Sequence, residues 1–441
     1  MTKYISTRGR APELDFEDAV LEGLARDGGL YVPETLPKLA GDVPASYVDV
    51  ATTVTGIDPA TVAEAYATFD HDDVCPVVQL DDRLWVQELW HGPTLAFKDL
   101  ALQLVGRLMD AALARRGERR TIVVATSGDT GSAAIAACVG RTNLDIVVLH
   151  PAGRVSDVQR RQMTTVEEPN VHNLAVEGTF DDCQDLVKAM FADERFREEL
   201  QLGAMNSINW GRILAQTPYY VTGQIAVGRE CTFAVPTGNF GNVLSGWYAR
   251  RMGAPIERFI IGSNRNDIIT RWIATGALIT EDVVPTISPA MDIQVSSNLE
   301  RLLFELLDRD GPRTAELMLR FRELGSVEAP REPLLAAARL DDDETRDVIR
   351  ATWDRYGYLV DPHTAVAIGA AERLRRDPTE SIVCLSTAHP AKFPDAVAEA
   401  TGVEPPVPER LAAALEGDEH YDLVGNDLAA VETSVRAAVT R

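Results

Sequence analysis

With 441 residues, 45% of them hydrophobic and 25% charged, the chain is long enough for two or three domains and has the composition of a globular protein. A formal net charge of −24 excludes nucleic acid or an anionic membrane as the main partner, because phosphate binding needs a concentrated positive surface, so any anionic ligand must be held by a local site. The five cysteines (Cys75, Cys138, Cys183, Cys231 and Cys384) are too scattered for a zinc set or a secreted disulfide framework. No apolar run is long enough to span a bilayer and the first residues lack the apolar core of a signal peptide, so the expected compartment is the cytoplasm.

Residues 1–90 read as a mixed segment in which the turn signals "RDGGLYVPETLPK" and "TGIDPA" separate short helical patterns. Lys98 follows in "LWHGPTLAFKDLALQL" and is one of only five lysines, arginine carrying almost all the other positive charge. An ordinary surface cation here would be arginine. Lysine can lose its proton when desolvated and form an imine with a carbonyl, which arginine cannot. His91 reads either as a packed histidine holding the "HGPT" turn or as a general acid or base, and Asp99 as an N-cap or first-turn carboxylate. The helix that follows, "DLALQLVGRLMDAALARRG", places Leu100, Leu104, Leu108 and Leu113 near one face.

From "TIVVAT" onward, β-rich runs alternate with helical patterns: "SAAIAACVG", "DIVVLH", "NVHNLAV" before a helix beginning near Phe180, "CTFAVPT", "RFIIGSN" and "SIVCLST". This alternation builds parallel sheets with crossover helices, so the body of the chain is α/β. Residues 311–350 are charged and helical, and their "DDDET" run reads as a solvated insertion or a helix start. Prolines in "GVEPPVPER" mark a connector, and "DLAAVETSVRAAVTR" reads as a terminal amphipathic helix. The predicted division is an N-terminal domain over 1–90, an α/β region over 91–401, and a linker with a helical tail over 402–441.

Four stretches besides Lys98 carry chemistry. "VVATSGDTGSAA" is a strand, a turn and a helix start, where unsatisfied N–H groups and the helix dipole favour an anion, or where Ser127, Asp129 and Thr130 cap the helix while Gly128 turns the chain. "FAVPTGNFGNVLSGW" repeats the design, and its two glycines allow the close backbone approach a phosphate requires; without a Walker lysine or a dinucleotide spacing, a monophosphate is the better guest. "CLSTAHPAKF" ends a strand with Thr387, whose hydroxyl can serve as a cap or reach a ring nitrogen. "MNSINWGRIL" gathers Asn206, Ser207, Asn209 and Arg212, the last able to clamp a phosphate or carboxylate or to sit as a surface ion partner. A reactive lysine, a monophosphate cradle, an anion seat and a strand-end hydroxyl are together what a pyridoxal 5'-phosphate enzyme requires.

At this point the chain resembles the threonine synthase family, in its longer bacterial and fungal branch. The similarity runs through "YISTRG", "LDFEDAVLEGLARDGGLYVPETLP", "HGPTLAFKD", "ATSGDTGSAA", "NSINWGRILAQ", "PTGNFGN", "MDIQVSSNLERLLF", "DPHTAVA" and "TAHPAKF", in family order. The resemblance implies a fold-type II pyridoxal phosphate architecture like that of the tryptophan synthase β chain, with two open parallel-rich sheets, flanking helices, an N-terminal domain over 1–90 and a catalytic region over 91–401 of two subdomains with the site between them. It implies conversion of O-phospho-L-homoserine and water to L-threonine and phosphate, the last step of threonine biosynthesis, by γ-elimination of phosphate and β-addition of water. Lys98 would then carry the cofactor, Gly238, Asn239, Phe240, Gly241 and Asn242 would bind its phosphate, and Thr387 would meet its ring nitrogen. Ser127, Gly128, Asp129 and Thr130 would form the substrate loop, and Asn206, Ser207, Asn209 and Arg212 would hold the substrate phosphate. A monomer or homodimer acting on a small molecule, with no metal, is the implied form. The competing readings are a phospho-lyase that stops at a 2-oxo acid and ammonia, and a non-catalytic relative, which would have lost the lysine.

Overall fold

The computed structural model describes residues 2–39, 46–126 and 128–439. Its fifteen strands, in chain order, are β1 (Tyr4–Ser6), β2 (Tyr31–Pro33), β3 (Val77–Asp81), β4 (Leu84–Glu88), β5 (Arg120–Ala125), β6 (Leu144–Pro151), β7 (Val171–Glu177), β8 (Leu202–Gly203), β9 (Cys231–Pro236), β10 (Ile256–Ser263), β11 (Ala277–Ile279), β12 (Ser326–Glu328), β13 (Leu335–Arg339), β14 (Ile382–Ser386) and β15 (Asp422–Gly425). Two large sheets dominate: six strands in the order β13-β10-β9-β14-β4-β3, and five in the order β15-β7-β6-β5-β8. Every pair in them is parallel except β3 with β4. Strand composition explains this. All residues of β6, β9 and β14 are buried, as strands covered on both faces must be, and such strands pair in parallel through crossover helices. The α/β class and the two open parallel-rich sheets expected from the sequence are both present.

Helix Lys98–Arg116 runs between apolar cores and buries Leu100, Ala101 and Leu104 in one, Leu102, Val105, Met109 and Leu113 in another. The expected single apolar face is therefore incomplete: Leu113 turns to the second core, because an element packed on both sides has no solvent stripe. The helix ends at Gly117, whose φ of 67° closes the last turn.

Three segments join the sheets more closely than their sequences suggest. β3 and β4 precede residue 91 yet belong to the six-stranded sheet, β4 lying along β14 with Glu88 opposite Ser386. Residues 335–339 form the edge strand β13 beside β10, and "DDDET" opens a helix, Asp342–Tyr356, capped by Asp341. In the tail, β15 extends the five-stranded sheet alongside β7, and helix Leu428–Val439 buries Val431 and Val435. The N-terminal segment pairs β1 with β2 antiparallel and is tied to the body through Glu300, which accepts hydrogen bonds from Thr7 and Arg8. All five cysteines are free and buried, distributed over four apolar clusters. Among the described residues no helix is long and apolar enough to cross a membrane.

Candidate active site

Three neighbouring parallel strands, β9, β14 and β4, release their chains at the same edge of the six-stranded sheet, where ligands of open α/β sheets bind. From β9 comes the turn at 238–242, from β14 comes Thr387, and from β4 comes the stretch that leads to Lys98. Backbone contacts pin that last stretch to the end of β14: Phe97 N donates to the Thr387 carbonyl at 2.9 Å, His389 N to the Leu95 carbonyl at 3.1 Å, and Ala96 pairs with Ala388. Leu95 holds a φ of 60°, a left-handed conformation that costs a branched residue about 1–2 kcal/mol and persists because both neighbours are fixed. Lys98 itself begins the helix and is buried, at 9% exposure.

Across from Lys98 stands the carboxylate of Asp129, delivered by the turn after β5 of the other sheet. Asp129 Oδ2 lies 3.6 Å from Lys98 Nζ, while Oδ1 accepts from Lys392 Nζ at 2.9 Å and Gln159 Nε2 at 3.0 Å. Lys392 Nζ also donates to the Thr94 carbonyl at 2.7 Å, and its side chain is fully buried. Burial works to raise the Asp129 carboxyl, but the ammonium groups of Lys392 and Lys98 overcome it and hold the acid far below the carboxylate range. For Lys98 the balance falls the other way. Burial lowers its basicity, Asp129 opposes this, and the positive charges of Lys392 and Arg212 add to the lowering. A less basic buried amine is what nucleophilic attack on a carbonyl requires.

The helix after this turn starts at Asp129 with Gly128 at its N-cap, and the Asp129 side chain faces the lysines instead of capping it. Thr126, which the sequence reading passed over, shapes the turn by accepting from Gly128 N and Gly131 N, each at 3.1 Å. Gly128 packs so closely on Gln159 that a Cβ would sit 2.6 Å from its amide nitrogen. Thr130 is half-buried in the first turn, and Ser127 lies outside the described residues.

The turn at 238–242 has a geometry that can receive an anion. Phe240 takes a φ of 64° and caps helix Gly241–Met252 without any side-chain hydrogen bond, so the first N–H groups of that helix stay available. Gly238 is pressed against Ala290, where a Cβ would meet the carbonyl oxygen at 2.6 Å. Asn242 is polarised by its surroundings: its Oδ1 accepts from the hydroxyls of Tyr219 at 2.6 Å and Tyr220 at 2.7 Å, while its buried Nδ2 has no partner among the described residues. An oxyanion at this turn would satisfy the amide and the helix start together.

Asn298 joins this turn to the next candidate stretch, its Nδ2 donating to the Ser207 carbonyl at 2.9 Å and the Asn239 carbonyl at 3.2 Å. Ser296 and Ser297 reinforce it from behind by donating to Gly238 O and Asn239 Oδ1. Of the four residues proposed over 206–212, Asn209 is occupied structurally: it accepts from Gly211 N at 2.9 Å as a helix cap and donates to Val20 O at 2.7 Å. Asn206 Oδ1 accepts from Ile208 N. Arg212 is different. It is buried with no carboxylate beside it, its Nε and Nη1 have no partner among the described residues, and burial drives it down to about 10. A buried guanidinium in that state calls for an anion.

His91 is held at both nitrogens, by Asp70 at 2.7 Å and Glu88 at 2.8 Å, and stacks on Trp90, so it serves the turn. Asp99 is no N-cap. It reaches back to Thr94 N and Oγ1 at 2.8 and 2.7 Å, closing the "HGPT" turn, and burial pushes it up to about 6. Sequence reasoning missed Lys392, Gln159 and Asn298. The scarcity of lysine that singled out Lys98 applied equally to Lys392.

A family model described as pyridoxal-phosphate dependent enzyme matches residues 75–388, and models described as threonine synthase N terminus and threonine synthase, C-terminal match residues 3–57 and 364–435. The threonine synthase of Pseudomonas aeruginosa is 47% identical, the match covering 98% of each chain, and that of Schizosaccharomyces pombe is 42% identical over 89% of this chain and 88% of its own. Among solved structures, the pyridoxal-phosphate-bound threonine synthase of Brucella melitensis superposes with a TM-score of 0.96 at 48% identity, covering all of both chains.

Proposed function

The chain belongs to the threonine synthase family, and from that premise we propose that it converts O-phospho-L-homoserine and water to L-threonine and phosphate, with Lys98 as the residue that carries pyridoxal 5'-phosphate. The residues at the sheet edge fit this cofactor. Asn242 Nδ2 and the uncapped start of helix Gly241–Met252 suit its phosphate, with Gly238, Asn239, Phe240 and Gly241 shaping the turn. Thr387 offers a neutral hydroxyl for the ring nitrogen, which leaves that nitrogen less protonated than a carboxylate would. Bound there, the cofactor supplies an electron sink for the charge left when the substrate loses a proton.

The chain's own groups supply the rest. With its amine released in a buried site, Lys98 would take the proton from Cα, pass it on, and as a free amine again take one from Cβ. Arg212 clamps the substrate phosphate with its unmatched N–H groups, aided by Asn206 and Ser207, and so orients the bond that breaks at Cγ. The substrate loop of Ser127, Gly128, Asp129 and Thr130 receives the carboxylate at the N-terminus of helix Asp129–Cys138. Burial of Lys98, Asp129 and Arg212 keeps bulk water from the site until phosphate leaves.

The observation that carries the proposal is a buried lysine amine of lowered basicity, within reach of the Arg212 charge, at the sheet edge that also carries the 238–242 turn. The test is product analysis on the cofactor-loaded protein given O-phospho-L-homoserine. Threonine and phosphate in equal amounts support the reading; 2-oxobutyrate and ammonia with no threonine would replace it with simple elimination.

A further inference from the structure

We propose that Lys392 is a positioning residue that keeps Lys98 a free base by engaging Asp129, so that the carboxylate facing the reactive amine is already neutralised. The inference rests on Lys98 being the cofactor-bearing residue. Its basis is the division of one carboxylate between two lysines: Oδ1 is bonded to Lys392 at 2.9 Å and to Gln159 at 3.0 Å, and only Oδ2, at 3.6 Å, faces Lys98. A lone Asp129 this close to Lys98 would favour the ammonium form and disable the base. With Lys392 in place the pair is neutral overall, and the Lys392 charge offsets part of the pull that Asp129 exerts on the Lys98 proton.

Position and solvation fit the role. Lys392 sits in the short helix Pro390–Lys392, directly after the strand-end residues Thr387 and His389, and its stem is fully buried. The Thr94 carbonyl, at 2.7 Å, fixes the ammonium from the other side, and Gln162 donates to the same oxygen at 3.1 Å. The charged groups that face Lys98 are Asp129, Lys392 and Arg212; Asp99, next in the chain, is turned away onto Thr94. Arg212 also disfavours the ammonium, but it cannot withdraw the carboxylate. Lys392 alone does both.

The readout is capture of pyridoxal phosphate by the apoprotein, in which the neutral amine adds to the aldehyde carbon and water leaves. It needs no substrate and is followed as the rise of the bound-cofactor absorbance across a pH series. Cofactor ionisation is common to all variants, so differences between them report the amine. For Lys392→Met the pH limb of the capture rate is expected to move up by about one unit, a roughly tenfold slower capture below the limb. Lys392→Gln, which keeps a polar group, reads the same limb if the methionine variant does not fold. In Lys392→Met combined with Asp129→Asn the limb should return close to that of the wild type, since both members of the neutral pair are gone. An unmoved limb in a folded single variant, or a double variant displaced as far as the single, would overturn the role of Lys392. Borohydride trapping and peptide mapping run alongside separate that outcome from a failure of the Lys98 assignment, which would place the label elsewhere.

Discussion

Arg212 and Arg301 are both buried beside the turn at 206–212, and burial presses both down to about 10, yet the protein satisfies only one of them. Arg301 donates to the Tyr31 carbonyl through Nε and Nη2 at 3.1 and 3.0 Å, to Ile208 O at 2.6 Å and to Asn298 Oδ1 at 2.5 Å. It stitches the N-terminal segment, the 206–212 turn and the 296–301 stretch together. Arg212 has two N–H-bearing nitrogens with no such partner among the described residues. Burial and weakened basicity are therefore shared by a structural clamp and a candidate ligand site. What separates them is the hydrogen-bond account of each nitrogen.

The contrast is broken most severely at Lys98, the residue proposed to carry the cofactor. Lys98→Ala is expected to lose the bound-cofactor absorbance and at least about 1,000-fold in turnover, while the urea midpoint barely moves. Arg301→Met should do the reverse, costing about 3 kcal/mol of stability by stranding the Tyr31, Ile208 and Asn298 oxygens, as read from urea unfolding of the apoprotein. Arg212→Met sharpens the comparison directly. A loss of about 100-fold in kcat/KM, roughly 2.7 kcal/mol, should accompany an unchanged or raised urea midpoint, since a buried unpaired charge is removed.

The smallest effect belongs to His91. Burial lowers its basicity, but Glu88 and Asp70 overcome this and leave it raised above the ordinary 6.5. Its contribution to stability is thus complete below that ordinary value and is lost as pH climbs through the raised one. Wild type should exceed His91→Gln by about 1 kcal/mol under mildly acidic conditions and converge with it under alkaline ones, measured by urea unfolding along a pH series.

Much of this organisation was legible in the sequence because it is local. The alternation of β-rich runs with helices gave the parallel sheets, and Lys98 and the two glycine turns stood out by residue type at strand ends. Sheet membership of β3, β4 and β15 was not readable, since β4 finds its partner β14 almost 300 positions later and a four-residue strand carries no periodic signal. The same reason hides the site's supporting residues. Asn298 bonds Ser207 and Asn239, and Lys392 bonds Asp129, across distances in sequence that no spacing rule spans. Asp99, read as an N-cap or first-turn carboxylate, stands in the first turn but bonds back to Thr94, and Asp129, read as a cap or part of an anion seat, is drawn across the fold to Lys392.

The distribution of thiols over the separate cores provides a built-in map of local opening. Cys75 and Cys231 lie in one cluster, Cys138 in a second, Cys384 in a third and Cys183 in a fourth, and burial raises every one of the five. Each is inert towards an alkylating reagent until its own surroundings admit water. Isotope-coded alkylation during gradual denaturation would therefore show whether the two sheets come apart as one cooperative unit or in succession, with each modified peptide naming the core that yielded.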